Sequence, residues 1–65
     1  MRAFPNGMKR EVYEAQGGVC PHCQEKFTLD KMEADHITPW SQGGKTVKEN
    51  CQMLCRECNR RKSNK

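Results

Sequence analysis

The first apolar pattern along the chain has the period of a helix. Met8, Val12 and Ala15 recur at spacings of four and three residues, and most of the positions between them are polar. Asn6 is a residue type that caps helix N-termini, and the pair of glycines after the pattern is typical of a helix end. The sequence therefore predicts a short amphipathic helix over residues 8–16.

Two short segments further along the chain have the length of strands. Residues 32–37 end before Pro39, whose nitrogen carries no hydrogen for a sheet ladder. Residues 50–54 form the second candidate strand, and the composition of residues 38–45 predicts a loop between the two. A weak alternation of polar and apolar positions at residues 25–29 indicates only a brief strand or turn.

The last segment contains no helix breaker. From about Arg56 onward the side chains are long and mostly charged, which favours a closing helix. The predicted order is helix, cysteine pair, strand, long loop, strand, cysteine pair and helix. We therefore expect one small unit of the α+β class.

The composition indicates that an apolar core alone is too small to stabilise this unit. Only 34% of the 65 residues are hydrophobic, and four are aromatic. A domain of this size buries too little apolar surface to offset the entropy lost in ordering its chain. We therefore expect covalent or metal cross-links, and the five cysteines are their obvious source.

The apolar positions are too scattered for a membrane or secreted protein. No apolar run approaches the roughly 20 residues of a membrane-spanning helix, and the first seven residues lack the apolar stretch of a signal peptide. The sequence therefore predicts a cytoplasmic protein with no membrane partner. A module of this size is often one part of a longer chain.

The positive charge is confined to one end of the chain. Residues 1–55 carry seven basic and seven acidic side chains, so the formal net charge of +4 comes from the last ten residues. Such a segment attracts polyanions such as nucleic acid, or is simply a solvated helix face. The residues expected to contact phosphate are Arg56, Arg60, Arg61 and Lys62.

Four cysteines form two pairs with the spacing of a metal site. Cys20 and Cys23 form one C-x-x-C pair, Cys55 and Cys58 form the other, and 31 residues separate the pairs. Each pair presents two thiolates on a tight turn, and two pairs complete the tetrahedral sulfur cage that zinc favours. The spacing therefore predicts a structural Zn²⁺ ion.

Other uses of these cysteines stay open on sequence alone. The first pair also fits a redox motif, although the chain lacks the βαβ pattern of a thioredoxin-like domain. Two disulfides would need an oxidising compartment, and four sulfurs also bind iron in small electron carriers. Cys51 has no partner at this spacing and is expected to be a small apolar strand residue, and His22 a turn residue facing solvent.

Polar residues suited to hydrolytic chemistry lie between and just after the cysteine pairs. Asp35 and Asn59 offer oxygen ligands for a magnesium-like ion, and His36 offers an imidazole that accepts a proton from water near neutral pH. Each residue alone is ordinary on a strand, turn or helix start. Their joint placement indicates metal-assisted hydrolysis of a phosphodiester bond.

The order of these features resembles the HNH endonuclease family, the zinc-bearing branch of the ββα-metal nucleases. The matching segments are residues 34–37, 39–44, Asn50 and 54–62. The resemblance covers about residues 17–65 and implies a small ββα-metal domain stabilised by a zinc site of four cysteines. Residues 1–16 fall outside it and are expected to form an N-terminal helix that packs on residues 17–65 in a single compact unit.

The resemblance implies a divalent-metal-dependent DNA endonuclease or nickase. His36 would be the general base, Asp35 and Asn59 would bind the catalytic Mg²⁺ or Mn²⁺, and Asn50 would hydrogen-bond the backbone of the loop over residues 38–45. The family often carries histidine where this chain has Asn59. DNA specificity is expected to come from further domains or a partner protein.

The alternative is a catalytically silent zinc-knuckle module that binds nucleic acid through its closing helix.

Two details of the loop and strand also stay open. Trp40 would either stack on a base or fill the core, and the scarcity of apolar bulk favours the core. Adjacent strand residues point to opposite faces, so Asp35 and His36 share a site only if the strand ends or bends beside them.

Overall fold

The computed structural model describes residues 3–63, which form two helices and one two-stranded sheet. The elements in chain order are α1 (Asn6–Ala15), β1 (Met32–His36), β2 (Cys51–Cys55) and α2 (Arg56–Ser63). The two strands are antiparallel, with Met32 opposite Cys55 and His36 opposite Cys51. The predicted α+β class and order of elements are confirmed.

Helix α1 begins two residues earlier than the periodicity predicts, and Asn6 is not its cap. Pro5 precedes the helix in an extended conformation, and no side chain caps the first turn. The carbonyl of Pro5 accepts the first helical hydrogen bond, from the Lys9 N–H at 3.0 Å. At the other end, Gly17 and Gly18 adopt left-handed φ angles of 64° and 73°, which end the helix as predicted.

The outer edge of β2 is closed by a side chain and not by a third strand. Gln16, just after α1, accepts a hydrogen bond from the Met53 N–H at 2.8 Å and donates to the Met53 carbonyl at 3.0 Å. The same amide donates to the Val19 carbonyl at 2.9 Å. The amide group of Gln16 therefore pairs with Met53 as a neighbouring peptide group would.

The core is small and contains many cysteines. Within residues 3–63, nine hydrophobic residues are buried, four of them cysteines, and Met53, Leu54 and Cys20 are the most completely enclosed. Cys51 is 6% exposed, which confirms the prediction that it is an apolar strand residue. The prediction that Trp40 fills the core is wrong, because the residue is 41% exposed.

The connections contain short turns. The alternation at residues 25–29 produces only an isolated bridge between Val19 and Lys26. Single 3-10 turns lie before β1, in the loop after it, and before β2, at Leu29–Lys31, Trp40–Gln42 and Lys48–Asn50. No helix within residues 3–63 is long and apolar enough to cross a membrane.

Replacing Gln16 with alanine should destabilise the domain by about 1–3 kcal/mol, because the peptide group of Met53 loses its partners at the sheet edge. Urea unfolding followed by circular dichroism measures the loss. Gln42→Ala, at an exposed loop position, is the matched control and should change stability by no more than about 0.5 kcal/mol. Equal stability of the two variants would show that Gln16 does not support the edge of β2.

Candidate active site and metal centre

The two cysteine pairs converge at the junction between β2 and α2. Cys55 is the last residue of β2, and Cys58 lies in the first turn of α2. The other pair lies on a turn in which the Gln24 N–H donates to the Cys20 carbonyl at 2.7 Å. Gln24 takes a φ of +62°, which reverses the chain after Cys23. The four sulfurs lie within 4.8 Å of one another.

The spacing of the sulfurs fits tetrahedral coordination of one metal ion and excludes disulfides in this structure. The Sγ atoms of Cys23 and Cys55 are 3.9 Å apart, whereas a disulfide bond is about 2.05 Å long. Two thiolates on one zinc ion at about 2.3 Å are separated by about 3.8 Å when the geometry is tetrahedral. All five cysteines are free. The cluster is therefore suited to hold a metal.

The cysteines of the cluster differ in how readily they ionise. Burial disfavours the Cys20 thiolate, but backbone hydrogen bonds from Cys23, Cys55 and His22 outweigh it and lower the pKa of Cys20 to about 6. A hydrogen bond with Cys55, together with burial, raises the pKa of Cys58 to about 12. Sulfurs this close do not all ionise at neutral pH by themselves, so a metal that binds all four must displace protons.

Strand β1 directs alternate side chains to two different places. Glu33 and Asp35 face α2, where the Asn59 amide donates to Glu33 Oε1 at 2.6 Å and Lys62 Nζ donates to Asp35 Oδ2. The Gln52 amide, on the neighbouring strand, also donates to Asp35 Oδ2 at 2.8 Å. Asp35 and Asn59 therefore lie along one interface between β1 and α2, each paired with a different residue.

His36 points to the other face of β1. Its ring packs on Phe4 with centroids 4.4 Å apart and meets Trp40 edge-on at 6.2 Å. Its Nε2 atom lies 3.0 Å from Thr46 Oγ1. The imidazole is thus held on three sides by residues from outside the sheet, and it remains only half-buried.

The end of β1 brings Asp35 and His36 to one opening despite their opposite directions. An open cleft of about 370 Å³ is lined by Asp35, His36, Trp40 and Lys62 together with Ala34, Pro39 and Ser41. Asn59 lies in an adjoining cleft that shares Ala34 and His36 with the first. Of the two shared residues, His36 is the one with an ionisable side chain, so it borders both the cleft of Asp35 and the cleft of Asn59.

Asn50 fixes the loop that follows β1. Its Oδ1 accepts from the Thr38 N–H at 2.8 Å, and its amide donates to the carbonyls of Thr38 and Lys45 at 3.1 and 2.9 Å. Gly44 is required for this path, since a Cβ atom there would lie 1.8 Å from the Thr38 carbonyl oxygen. The loop backbone is therefore determined by hydrogen bonds and by close packing.

The oxygen atoms of Asp35 and of the neighbouring backbone are of the type that binds a hard cation. Lys62 Nζ lies against Asp35 Oδ2 and 2.8 Å from the His36 carbonyl oxygen, so two oxygens already converge on one positive group. Asn59 donates through its amide nitrogen to Glu33, so its amide oxygen takes no part in that contact. Carboxylate and carbonyl oxygens are ligand types that a divalent ion prefers, and the ammonium group of Lys62 occupies the position beside Asp35 in this structure.

Three of the four basic residues predicted to contact phosphate are exposed on α2. Arg61 forms a surface ion pair with Glu57 at 3.6 Å, and Arg56 donates to the Asp30 carbonyl at 3.1 Å. Arg60 is also exposed. Lys62 differs from them because its ammonium is engaged by Asp35.

Several residues of the site carry no sequence signal that identifies them. Phe4 and Thr46 reach His36 through tertiary contacts alone. Glu33 has a weak signal, because a position two residues before Asp35 on a strand shares its face. Glu33 was not assigned to the site from the sequence, and this spacing is the signal that could have placed it on the same face as Asp35.

Comparison with known proteins identifies the family. The family model described as HNH endonuclease matches residues 20–65. The CRISPR-associated endonuclease Cas9 of Corynebacterium diphtheriae is 35% identical to this chain over 52 residues. The match covers 78% of this chain and 5% of that protein, so the chain spans a small part of the length of this relative.

Cys55→Ser should abolish stoichiometric zinc binding and the cooperative thermal transition, because one of the four sulfurs is lost. Atomic emission gives zinc per chain, and circular dichroism gives the transition. Cys51→Ser removes the one cysteine outside the cluster and should keep one zinc, with a stability loss of about 1–3 kcal/mol. Equal zinc content in the two variants would contradict the assignment.

Asn50→Ala should cost about 1–3 kcal/mol of unfolding free energy, because three hydrogen bonds to the loop backbone are lost. Asn50→Asp retains the acceptor for Thr38 but places a carboxylate oxygen against the carbonyls of Thr38 and Lys45, so we expect a loss at least as large as that of alanine. Urea titration of the three proteins measures the order. A stability for Asn50→Ala equal to that of the unmodified chain would show that the loop does not depend on this residue.

Proposed function

The chain belongs to the HNH endonuclease family, and on this basis we propose that it is a divalent-metal-dependent domain that cuts or nicks DNA with His36 as general base. The observation that carries the proposal is the shared opening at the end of β1. Asp35 and His36 line one cleft, and His36 also lines the cleft that contains Asn59. No cysteine lines either cleft.

The hydrogen bond of His36 supports a role for its other ring nitrogen as the base. When Nε2 donates its proton to Thr46 Oγ1, the lone pair of the neutral ring lies on Nδ1. Nδ1 then takes a proton from the water that attacks phosphorus. Packing on Phe4 limits rotation of the ring and so reduces the entropy lost on reaching this orientation.

Asp35 and Asn59 are the residues proposed to hold the catalytic Mg²⁺ or Mn²⁺. When bound, the ion supplies positive charge to the phosphate and to its leaving oxygen. Gln52 donates to Asp35 Oδ2 and keeps the carboxylate oriented. The exposed arginines of α2, Arg56, Arg60 and Arg61, would neutralise neighbouring phosphates.

The cysteine cluster is proposed to bind a structural Zn²⁺. A closed site of four sulfurs has no open position for substrate, so its contribution is to folding. Zinc binding supplies about 10–16 kcal/mol in small zinc peptides, which is large beside the contribution of a core this thin.

The contact between Lys62 and Asp35 favours a second candidate function. A side chain that neutralises the proposed metal ligand is compatible with a catalytically silent module that binds nucleic acid through α2. The two candidates differ in whether His36 is needed and in whether Asp35 accepts a divalent ion.

His36→Ala should lower the rate of plasmid nicking or cleavage in Mg²⁺ or Mn²⁺ by about 10²–10⁴-fold, because the general base is removed. Gel electrophoresis of supercoiled plasmid measures the rate. His22→Gln, at the exposed histidine on the cysteine turn, is the matched control and should cut at the normal rate. Intact plasmid with the unmodified chain, alongside tight DNA binding, would support the silent module instead.

Lys62→Met should tighten Mn²⁺ binding several-fold, because it removes the positive charge that competes for Asp35. The paramagnetic resonance signal of free Mn²⁺ measures binding without any cleavage assay. Lys31→Met, an equal charge change at an exposed position outside the cleft, should alter affinity much less. Unchanged affinity in Lys62→Met would indicate that the ion does not bind at Asp35.

A further inference from the structure

We propose that Trp40 is a stacking platform for an unpaired nucleobase beside the hydrolytic cleft. The substrate would then be single-stranded DNA, or duplex DNA with one base displaced from the stack near the cut. This inference rests on the proposed function and adds to it the form of DNA that the site accepts.

Trp40 is exposed although the chain has few large apolar side chains with which to build a core. The residue is 41% exposed, and Val47, which lines a groove together with it, is 40% exposed. Burial of an indole ring makes one of the largest contributions to the free energy of folding that a single apolar side chain can make. An exposed apolar patch of this kind, beside a functional cleft, marks a binding surface.

The exposed position of Trp40 is built into the loop backbone. Gly43 takes a φ of +85° and donates to the Trp40 carbonyl at 3.1 Å. The N–H groups of Gln42 and Gly44 both donate to the Pro39 carbonyl, at 2.9 and 3.0 Å. The hydrogen bonds of Asn50 hold the ends of the same loop. The indole is therefore presented by a fixed backbone, which lowers the entropy lost when a ligand binds.

Trp40 lies between the hydrolytic cleft and a second, apolar groove. On one side it lines the cleft with Asp35, His36 and Lys62, and its ring meets His36 edge-on with an interplanar angle of 74°. On the other side it lines a groove of about 370 Å³ formed with Pro5, Met8, Thr46, Val47 and Lys45. A base stacked on the indole would thus lie next to the phosphate in the cleft.

The charges favour a nucleic acid over a protein as the occupant of this surface. Lys45 is the one charged residue among the six that line the apolar groove. A flat aromatic group with a cation beside it is the combination that binds single strands, since the ring stacks on the base and the cation neutralises a phosphate. A base inside an intact duplex cannot reach an indole, so stacking requires an unpaired base.

Trp40 is the only tryptophan in the sequence, so intrinsic fluorescence reports on this side chain alone. The zinc-loaded chain is titrated with a short thymidine oligonucleotide in buffer without Mg²⁺ or Mn²⁺, and separately with an abasic oligonucleotide of equal length. We expect thymidine to quench the emission at saturation and the abasic strand to leave it nearly unchanged.

Anisotropy of a labelled oligonucleotide measures the energetic contribution of the ring. Trp40→Ala should weaken binding of the thymidine strand by roughly tenfold, and Trp40→Phe should restore much of the affinity. Neither variant should change binding of the abasic strand. Far-UV circular dichroism and zinc content identify a variant that has failed to fold. In that case the fluorescence titration of the unmodified chain tests the proposal.

Three outcomes would overturn the proposal. These are unquenched fluorescence at saturating thymidine strand, equal affinity of Trp40→Ala and the unmodified chain, and loss of self-association in Trp40→Ala with DNA binding unchanged. Plasmid cleavage with unquenched Trp40 would overturn stacking and leave the nuclease function standing. Quenching without cleavage would support stacking and count against the nuclease.

Discussion

Convergence of four cysteine sulfurs at the junction of β2 and α2 is the constraint on which the rest of the structure depends. Cys55 ends the strand and Cys58 lies in the first turn of the helix, so the cluster fixes the direction in which α2 leaves the sheet. Asn59 directly follows Cys58, and Lys62 lies one turn further on. The cluster thereby determines which side chains of α2 meet Glu33 and Asp35.

The proposed chemistry uses the two faces of β1 and the point where it ends. Strand alternation sends Asp35 toward α2 and His36 toward Phe4 and the loop, and both reach the same opening because β1 stops at His36. Asn50 fixes the loop that forms the far wall of that opening. The active-site hypothesis therefore needs a rigid loop on one side and a positioned helix on the other. The hydrogen bonds of Asn50 provide the first, and the cysteine cluster provides the second.

The sequence predicted those parts of the fold that depend on local pattern or on spacing. The strands and the closing helix lie within a residue of their predicted bounds, because apolar patterns and Pro39 mark them locally. The convergence of the cysteines followed from their pairing in the sequence. The roles assigned to Asp35, His36, Asn50 and Asn59 came from the family resemblance and stay predictions. The structure adds the contacts of these residues with α2, with Phe4 and with the loop.

Other features could not be predicted because they depend on contacts between distant residues. Gln16 pairs with Met53, 37 positions away, and Phe4 packs on His36 from before the first helix. The assignment of Asn6 as the helix cap was wrong because the Pro5 carbonyl begins the helix without a side-chain cap. Trp40 was wrongly placed in the core because scarcity of apolar residues does not reveal a loop backbone that holds the side chain outward.

The zinc K-edge absorption spectrum of the purified chain tests the central claim most directly. A site built from Cys20, Cys23, Cys55 and Cys58 predicts four sulfur atoms at about 2.3 Å from the zinc, with no change when Mg²⁺ is added. Nitrogen or oxygen ligands at about 2.0 Å in place of any sulfur would contradict it. The cluster would then not be the closed support that positions α2 beside the cleft.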